Sequence, residues 1–182
     1  MGRRLVIPAA ATAVAIAAVL TQQPVHAAPR GAVCEISGSA TISPGLSTTA
    51  KKQSITLSGV RLTNCESGSA ASPGVPKPLS GSVTTSPNPE VISASCASGN
   101  LHLSATIRWN NGTTTNASVS TTGVTASQTL NGKVTGSTNP ILKSGDLLAG
   151  EVAFRPKSPT QDCVTPVKAV TFQGVIGTGA PN

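Results

Sequence analysis

The sequence predicts an all-β protein, a single antiparallel β-sandwich or barrel with immunoglobulin-like character that follows an N-terminal signal peptide. Three observations lead to this prediction: an export leader, four cysteines, and short alternating runs separated by Gly, Pro, Ser and Asn. After the leader, no segment shows the helical period of about 3.6 residues. About eight to ten short strands in one domain are typical of antiparallel sandwiches and barrels.

The start of the chain has the three parts of a secretory signal peptide. Two arginines precede the apolar run Leu5–Leu20, and small residues lead to a cleavage site between Ala27 and Ala28. The alternative, an uncleaved anchor, is disfavoured because a spanning helix needs about 20 apolar residues. We therefore expect a signal peptide at 1–27 and a single secreted β domain at 28–182. The mature chain should be extracellular, with no membrane span and with cell-wall association left open.

The first strands are predicted from β-branched and alternating residues. They are expected at 34–42, 54–64, 79–85 and 90–96. The apolar parity of the second run changes at Gly59, which predicts a β-bulge. The clearest strand is Leu101–Trp109, whose odd positions are apolar and whose even positions are polar.

A hairpin and three further strands complete the prediction. Asn110, Asn111 and Gly112 accept the positive φ that a tight turn needs, so a hairpin should return through Thr113–Thr121. The last strands are expected at 130–135, 150–155 and 168–177, and long connections at 66–78 and 155–166. Glycine follows a large apolar residue by two positions at five places, which predicts strand bends or close approaches of strands. These glycines are Gly59, Gly81, Gly132, Gly150 and Gly174.

The four cysteines predict two disulfides, because an even number in an exported chain indicates oxidation. They are Cys34, Cys65, Cys96 and Cys163, with spacings of 31, 31 and 67 residues. No close pair is present, which disfavours a zinc site and a redox dithiol. Of the three possible pairings we favour Cys65–Cys96 with Cys34–Cys163, which would tie the first strand to the last. Closing a loop of about 30 residues stabilises by roughly 3–4 kcal/mol.

Composition limits the classes of partner. Removal of the leader takes away two of the 13 Lys and Arg, so 11 remain against six Asp and Glu, a net charge of +5. The basic residues are scattered, and the only aromatic ones are Trp109, Phe154 and Phe172. Nucleic-acid binders cluster basic residues and often add aromatic rings, so we expect no nucleic-acid partner. The charge could favour anionic wall polymers, although a solvated surface is the simpler interpretation.

Residues that could perform catalysis or hold a metal are sparse. His102 is the only histidine after the leader and lies on the polar side of its strand. Glu90 and Glu151 could in principle form a glycosidase pair, although nothing selects them over other acids. Asp146 and Glu151 alone do not provide the clustered oxygens that calcium needs. We therefore expect no enzyme activity, no catalytic or metal-ligating residues, and no cofactor.

The sequence resembles a lineage of small secreted actinobacterial β-proteins with four cysteines. The likeness covers most of the mature chain and is carried by the runs Cys34–Leu46, Leu62–Cys65, Ser95–Cys96, Ile107–Thr114 and Thr171–Gly174. It implies export and brings no activity with it. Apoproteins of the neocarzinostatin type are a looser analogy in composition and export, but their cysteines lie in much closer pairs.

Three functions are compatible with these expectations. The first is non-catalytic binding of an unknown protein or cell-wall partner, or a structural role, at the cell envelope. The second is a small-molecule carrier of the apoprotein type, which requires a solvent-accessible apolar pocket of several hundred Å³, roughly the usual size of such sites. The third is a secreted hydrolase, which requires His102 or a pair of acids to meet in a cleft.

Overall fold

The computed structural model describes residues 31–68, 79–124 and 126–179, and every regular element in these ranges is a strand. The predicted signal peptide lies outside the described residues. The strands are β1 (Gly31–Leu46), β2 (Lys51–Gly68), β3 (Leu79–Ser86), β4 (Glu90–Ala94), β5 (Leu101–Trp109), β6 (Thr114–Val124), β7 (Ser127–Ser137), β8 (Leu147–Pro156) and β9 (Val167–Gly179). All nine correspond to a segment predicted from the sequence, and most are longer by a few residues.

The strands form an eight-stranded antiparallel barrel with one extra strand. Strands β5 to β9 follow one another as neighbours, and β3 joins β5 to β2. The barrel closes because β1 pairs with β9 on one side and with β2 on the other. The sequence left a sandwich and a barrel open; the second pairing of β1 makes the fold a barrel.

Strand β2 is paired along one side by two short strands in succession. Its residues 61–65 pair with β3, and its residues 51–55 pair with β4. Between them, the side chain of Asn88 accepts a hydrogen bond from the Leu57 N–H and donates one to the Leu57 carbonyl, both at 3.0 Å. The Asn88 side-chain amide thus takes the place of one residue in the ladder beside β2. After β3, which pairs with β5, the chain can therefore turn away from β5 and continue along β2 as β4.

The divergence of β4 leaves part of β5 unpaired on one side. Strand β3 pairs with β5 only from Ser104 onwards. Within the described ranges, no ladder joins β4 to Leu101–Leu103, and the two strands are connected by the 95–100 turn. The barrel wall therefore relies on side-chain packing at this place.

Both turn features predicted from the sequence are confirmed. The register between β1 and β2 shifts next to Gly59, which has a φ of +61°, so the predicted bulge is present. In the hairpin after β5, the Trp109 N–H donates to the Thr113 carbonyl at 2.9 Å, and Gly112 has a φ of +81°. These two glycines supply backbone conformations that other residues rarely adopt.

Several of the strand glycines lie opposite large apolar residues on the neighbouring strand. Gly132 pairs with Leu148, and Gly174 pairs with Val152. A Cβ at Gly174 would overlap the backbone oxygen of Glu151. Alternation of large and small residues is how a narrow barrel interior is filled. The predicted close approach of strands is confirmed at this glycine.

The two disulfides join cysteines differently from the favoured pairing. Cys34 is bonded to Cys65, and Cys96 is bonded to Cys163. The expectation of Cys65–Cys96 and Cys34–Cys163 was therefore wrong. Although β1 and β9 are neighbours, they are antiparallel: Cys34 lies opposite Ile176 near the end of β9, whereas Cys163 precedes the start of β9. The first bridge links β1 to β2, and the second links the 95–100 turn to the 157–166 loop.

Replacing Gly174 by alanine should lower the free energy of unfolding by about 2 kcal/mol, because an added methyl group must displace the β8 backbone. The matched control is Gly136→Ala on β7, where an added Cβ meets no atom within 4 Å. The control should be neutral or stabilising by about 0.5 kcal/mol. Urea denaturation of both variants provides the measurement. Equal effects of the two substitutions would contradict the close packing at Gly174.

Peptide mapping without reduction should recover Cys34 linked to Cys65 and Cys96 linked to Cys163. Changing Cys96 and Cys163 together to serine should lower the free energy of unfolding by about 4 kcal/mol, as the chain-entropy model gives for this loop length. The wild-type protein, oxidised and treated in parallel, is the reference. Recovery of a Cys65–Cys96 peptide would refute the pairing described here.

Candidate functional site

The barrel contains an apolar cavity of about 250 Å³ near one end, which we call the large cavity. It is partly open to solvent. Small and medium aliphatic side chains form most of its wall, among them Ala40, Ile42, Ile55, Ala94, Val167 and Val170. The volume lies below the usual range of about 300–1,000 Å³ for small-molecule sites, but an apolar cavity of about 150 Å³ already binds benzene, so this one is large enough for a small apolar molecule.

A second apolar cavity of about 90 Å³, the small cavity, lies next to the large one. Leu57, Leu101 and Phe154 line both, so these three side chains separate the two spaces. Phe154 is held by Phe172, with ring centroids 5.6 Å apart at an interplanar angle of 46°. The barrel interior is thus an apolar lumen divided by a narrow partition of three side chains.

The second disulfide forms part of the cavity wall. Cys96 and Cys163 both line the large cavity, together with Gln161 and Asp162 of the same loop. Asp162 Oδ1 accepts a hydrogen bond from the Thr165 N–H at 3.0 Å, and Gln161 Oε1 accepts one from the Lys168 N–H at 3.3 Å. These polar groups hold the 157–166 loop in place, and the bridge ties that loop to the turn after β4.

Five basic residues, which we call the basic rim, lie on the strands and the loop that contribute lining residues to the large cavity. They are exposed and lie beside lining residues in sequence or register: Lys51, Lys52, Arg155, Lys157 and Lys168. Within the residues that the structure describes, none of the five is in an ion pair. A positive rim disfavours a cationic ligand and favours a neutral or anionic one.

The structure does not bring the candidate catalytic residues together. His102 is exposed on β5 and lines neither cavity. Glu90 and Glu151 lie on β4 and β8, which are not neighbours in the sheet, and Glu151 Oε1 accepts a hydrogen bond from Ser127 Oγ at 2.6 Å. In residues 31–68, 79–124 and 126–179, no three His, Cys, Asp or Glu side chains are grouped so that they could hold a metal ion.

The cavity-lining residues were not predicted from the sequence, although one signal was available. Gln128 lies on the same face of β7 as Leu130 and Val134, and all three are buried. A glutamine in an inward-facing series is unusual, because buried polar groups need hydrogen-bond partners. The predicted strand began only at residue 130, so this position was not considered part of the barrel interior.

Comparison with known proteins found no matching family model, no matching curated protein and no matching solved structure. Among the described residues there is no helix of the length and apolar character needed to cross a membrane.

Replacing Phe154 by alanine should join the two cavities and remove the contact with Phe172. We expect the free energy of unfolding to fall by about 3 kcal/mol, at the lower end of the range for buried aromatic residues because Phe154 is only half-buried. The volume change on unfolding under pressure should become more negative, since it scales with internal void volume. Val164→Ala, at a side chain that is 84% exposed, is the control and should change neither quantity.

Unchanged pressure behaviour of the Phe154 variant would show that removing this side chain opens no space between the two cavities. In that case Phe154 would not be the partition between the cavities.

Proposed function

We propose that this chain is an exported, non-enzymatic protein that binds a small, predominantly apolar molecule inside its barrel. The observation that supports this most is the large cavity of about 250 Å³, which is apolar and partly open to solvent. Antiparallel barrels of about eight strands are just wide enough to hold one small ligand when side chains do not fill them. The carrier hypothesis required a solvent-accessible apolar pocket of several hundred Å³; the large cavity is apolar and partly open, and its volume of about 250 Å³ is at the small end of that requirement.

The expected size of the ligand follows from the cavity. A cavity of about 150 Å³ accommodates benzene, so about 250 Å³ corresponds by proportion to roughly ten non-hydrogen atoms. The adjacent small cavity could receive a short apolar extension only if Phe154 moves. A compact bicyclic or branched molecule therefore fits better than a long chain.

Export is part of the proposal and is supported by two features. The leader pattern at residues 1–27 is typical of secretory signal peptides. Two disulfides are compatible with an oxidising, extracellular environment. The resemblance to secreted actinobacterial proteins agrees with this location, and the neocarzinostatin-type analogy agrees with a carrier role.

The other functions considered have less support. A purely structural role at the cell envelope gives no reason for an apolar cavity of this size in the barrel. A hydrolase would need a histidine or a pair of acids at the cavity, and among the described lining residues the only ionisable side chain that is not a disulfide cysteine is Asp162. The basic rim is compatible with contact to anionic wall polymers, which would place a carrier at the cell surface.

The proposal is tested by filling the large cavity. Ala40 lines it and is 3% exposed, so Ala40→Leu should occupy part of the space and weaken binding of naphthalene at least about tenfold. Ala153→Leu, on the exposed side of β8, is the matched control and should bind like the wild type. Binding is measured by naphthalene fluorescence titration, and folding by urea denaturation. Failure of the folded wild-type protein to bind, or equal binding by both variants, would contradict the proposal.

A further inference from the structure

One polar side chain in the wall of the large cavity has a buried hydrogen-bond acceptor without a partner. Gln128 lines the cavity, and only 6% of its surface is exposed. Its Nε2 donates to the Gly99 carbonyl at 3.3 Å. Its Oε1 is shielded from solvent and has no hydrogen-bond partner among the described residues. A buried acceptor without a partner lowers stability, so its presence requires an explanation.

Two other side-chain amides, those of Gln53 and Asn88, have a partner for both the oxygen and the nitrogen. Gln53 is fully buried, and it accepts from the Gly45 N–H and donates to the Gly45 carbonyl, each at 3.0 Å. Asn88 does the same with the backbone of Leu57. These two amides complete the ladder where strands diverge. Gln128 differs from them because its acceptor, Oε1, has no hydrogen-bond partner among the described residues.

A second buried amide, that of Asn139, also has an unpartnered atom, Nδ2. It lines neither cavity, and its Oδ1 caps the Ile141 N–H at 3.0 Å. Of the two described side chains that have an unpartnered buried polar atom, Gln128 is therefore the one that lines a cavity.

The orientation of the Gln128 amide is determined by its neighbour. The Gly99 carbonyl can only accept, so the amide nitrogen must face it and the oxygen must face away. The last torsion of a glutamine side chain has a broad energy profile. Rotation about this torsion can therefore bring Oε1 to a molecule in the cavity that the side chain already lines.

We propose that the ligand of the large cavity carries a hydroxyl or N–H group that donates a hydrogen bond to Gln128 Oε1. This inference rests on the proposed function, and it specifies the chemical class: an apolar body of about ten non-hydrogen atoms with one donor, such as a phenol, a compact alcohol or an indole. Most of the other side chains that line the large cavity are aliphatic. A hydrogen-bond donor on the ligand should therefore determine which of several similarly shaped ligands binds most tightly.

The test compares three probes of nearly equal size on the full oxidised protein: naphthalene, 2-naphthol and 2-methoxynaphthalene. The naphthol can donate a hydrogen bond, and the ether can only accept one. We expect the wild type to bind 2-naphthol about tenfold more tightly than either of the other probes, as one satisfied hydrogen bond predicts.

Gln128→Met keeps the length of the side chain and removes the amide, and Gln128→Leu is a second variant in case the first does not fold. Either variant should bind 2-naphthol within about twofold of 2-methoxynaphthalene, a comparison made between the two probes on the same variant. Urea denaturation provides the check that each variant is folded.

The two levels of the proposal fail differently. If the folded wild type binds none of the three probes, the proposed function itself is wrong. If it binds all three with equal affinity, or if the preference for 2-naphthol persists in the Gln128 variants, the cavity binds ligands and the donor requirement is overturned. A buried water that donates a hydrogen bond to Oε1 would produce equal affinity for the three probes.

Discussion

The structure depends on closing a β-barrel whose interior contains very few aromatic side chains. Pairing of β1 with both β9 and β2 fixes the circumference, and the side chains must then fill whatever volume is enclosed. In one half, glycines opposite large residues let the strands approach, and only about 90 Å³ remains. In the other half, alanines and medium aliphatic side chains face inward, and about 250 Å³ remains. The cavity is thus a consequence of a composition with 2% aromatic residues.

Local features of the fold could be predicted from the sequence. Alternation identified the strand Leu101–Trp109 with its observed bounds, and the parity change at Gly59 identified the bulge. These signals depend on side-chain periodicity and on backbone conformations within a few residues. The extension of β2 to Lys51 and Gly68 was missed, because its polar ends have no alternation and are ordered by pairing with neighbouring strands.

Features that depend on three-dimensional closure could not be predicted. The disulfide pairing required the direction of β9 relative to β1 and the position of Cys163 before that strand. The cavity required knowledge of which inward positions face each other across the lumen. Gln128 was the accessible clue, since a polar residue shared a face with Leu130 and Val134. Its significance depends on Gly99, which lies 29 residues away in the sequence.

The unpaired stretch of β5 also bears on how a ligand would enter the barrel if the proposed function is correct. Asn88 directs the chain away from β5, so Leu101–Leu103 face β4 without a shared ladder, and both Leu101 and Ile92 line the large cavity. Side-chain rearrangement requires much less energy than separation of hydrogen-bonded strands. If the large cavity holds a ligand as proposed, this seam is a place where the described wall could open without breaking ladder hydrogen bonds, so the ligand could leave without unfolding of the closed sheet.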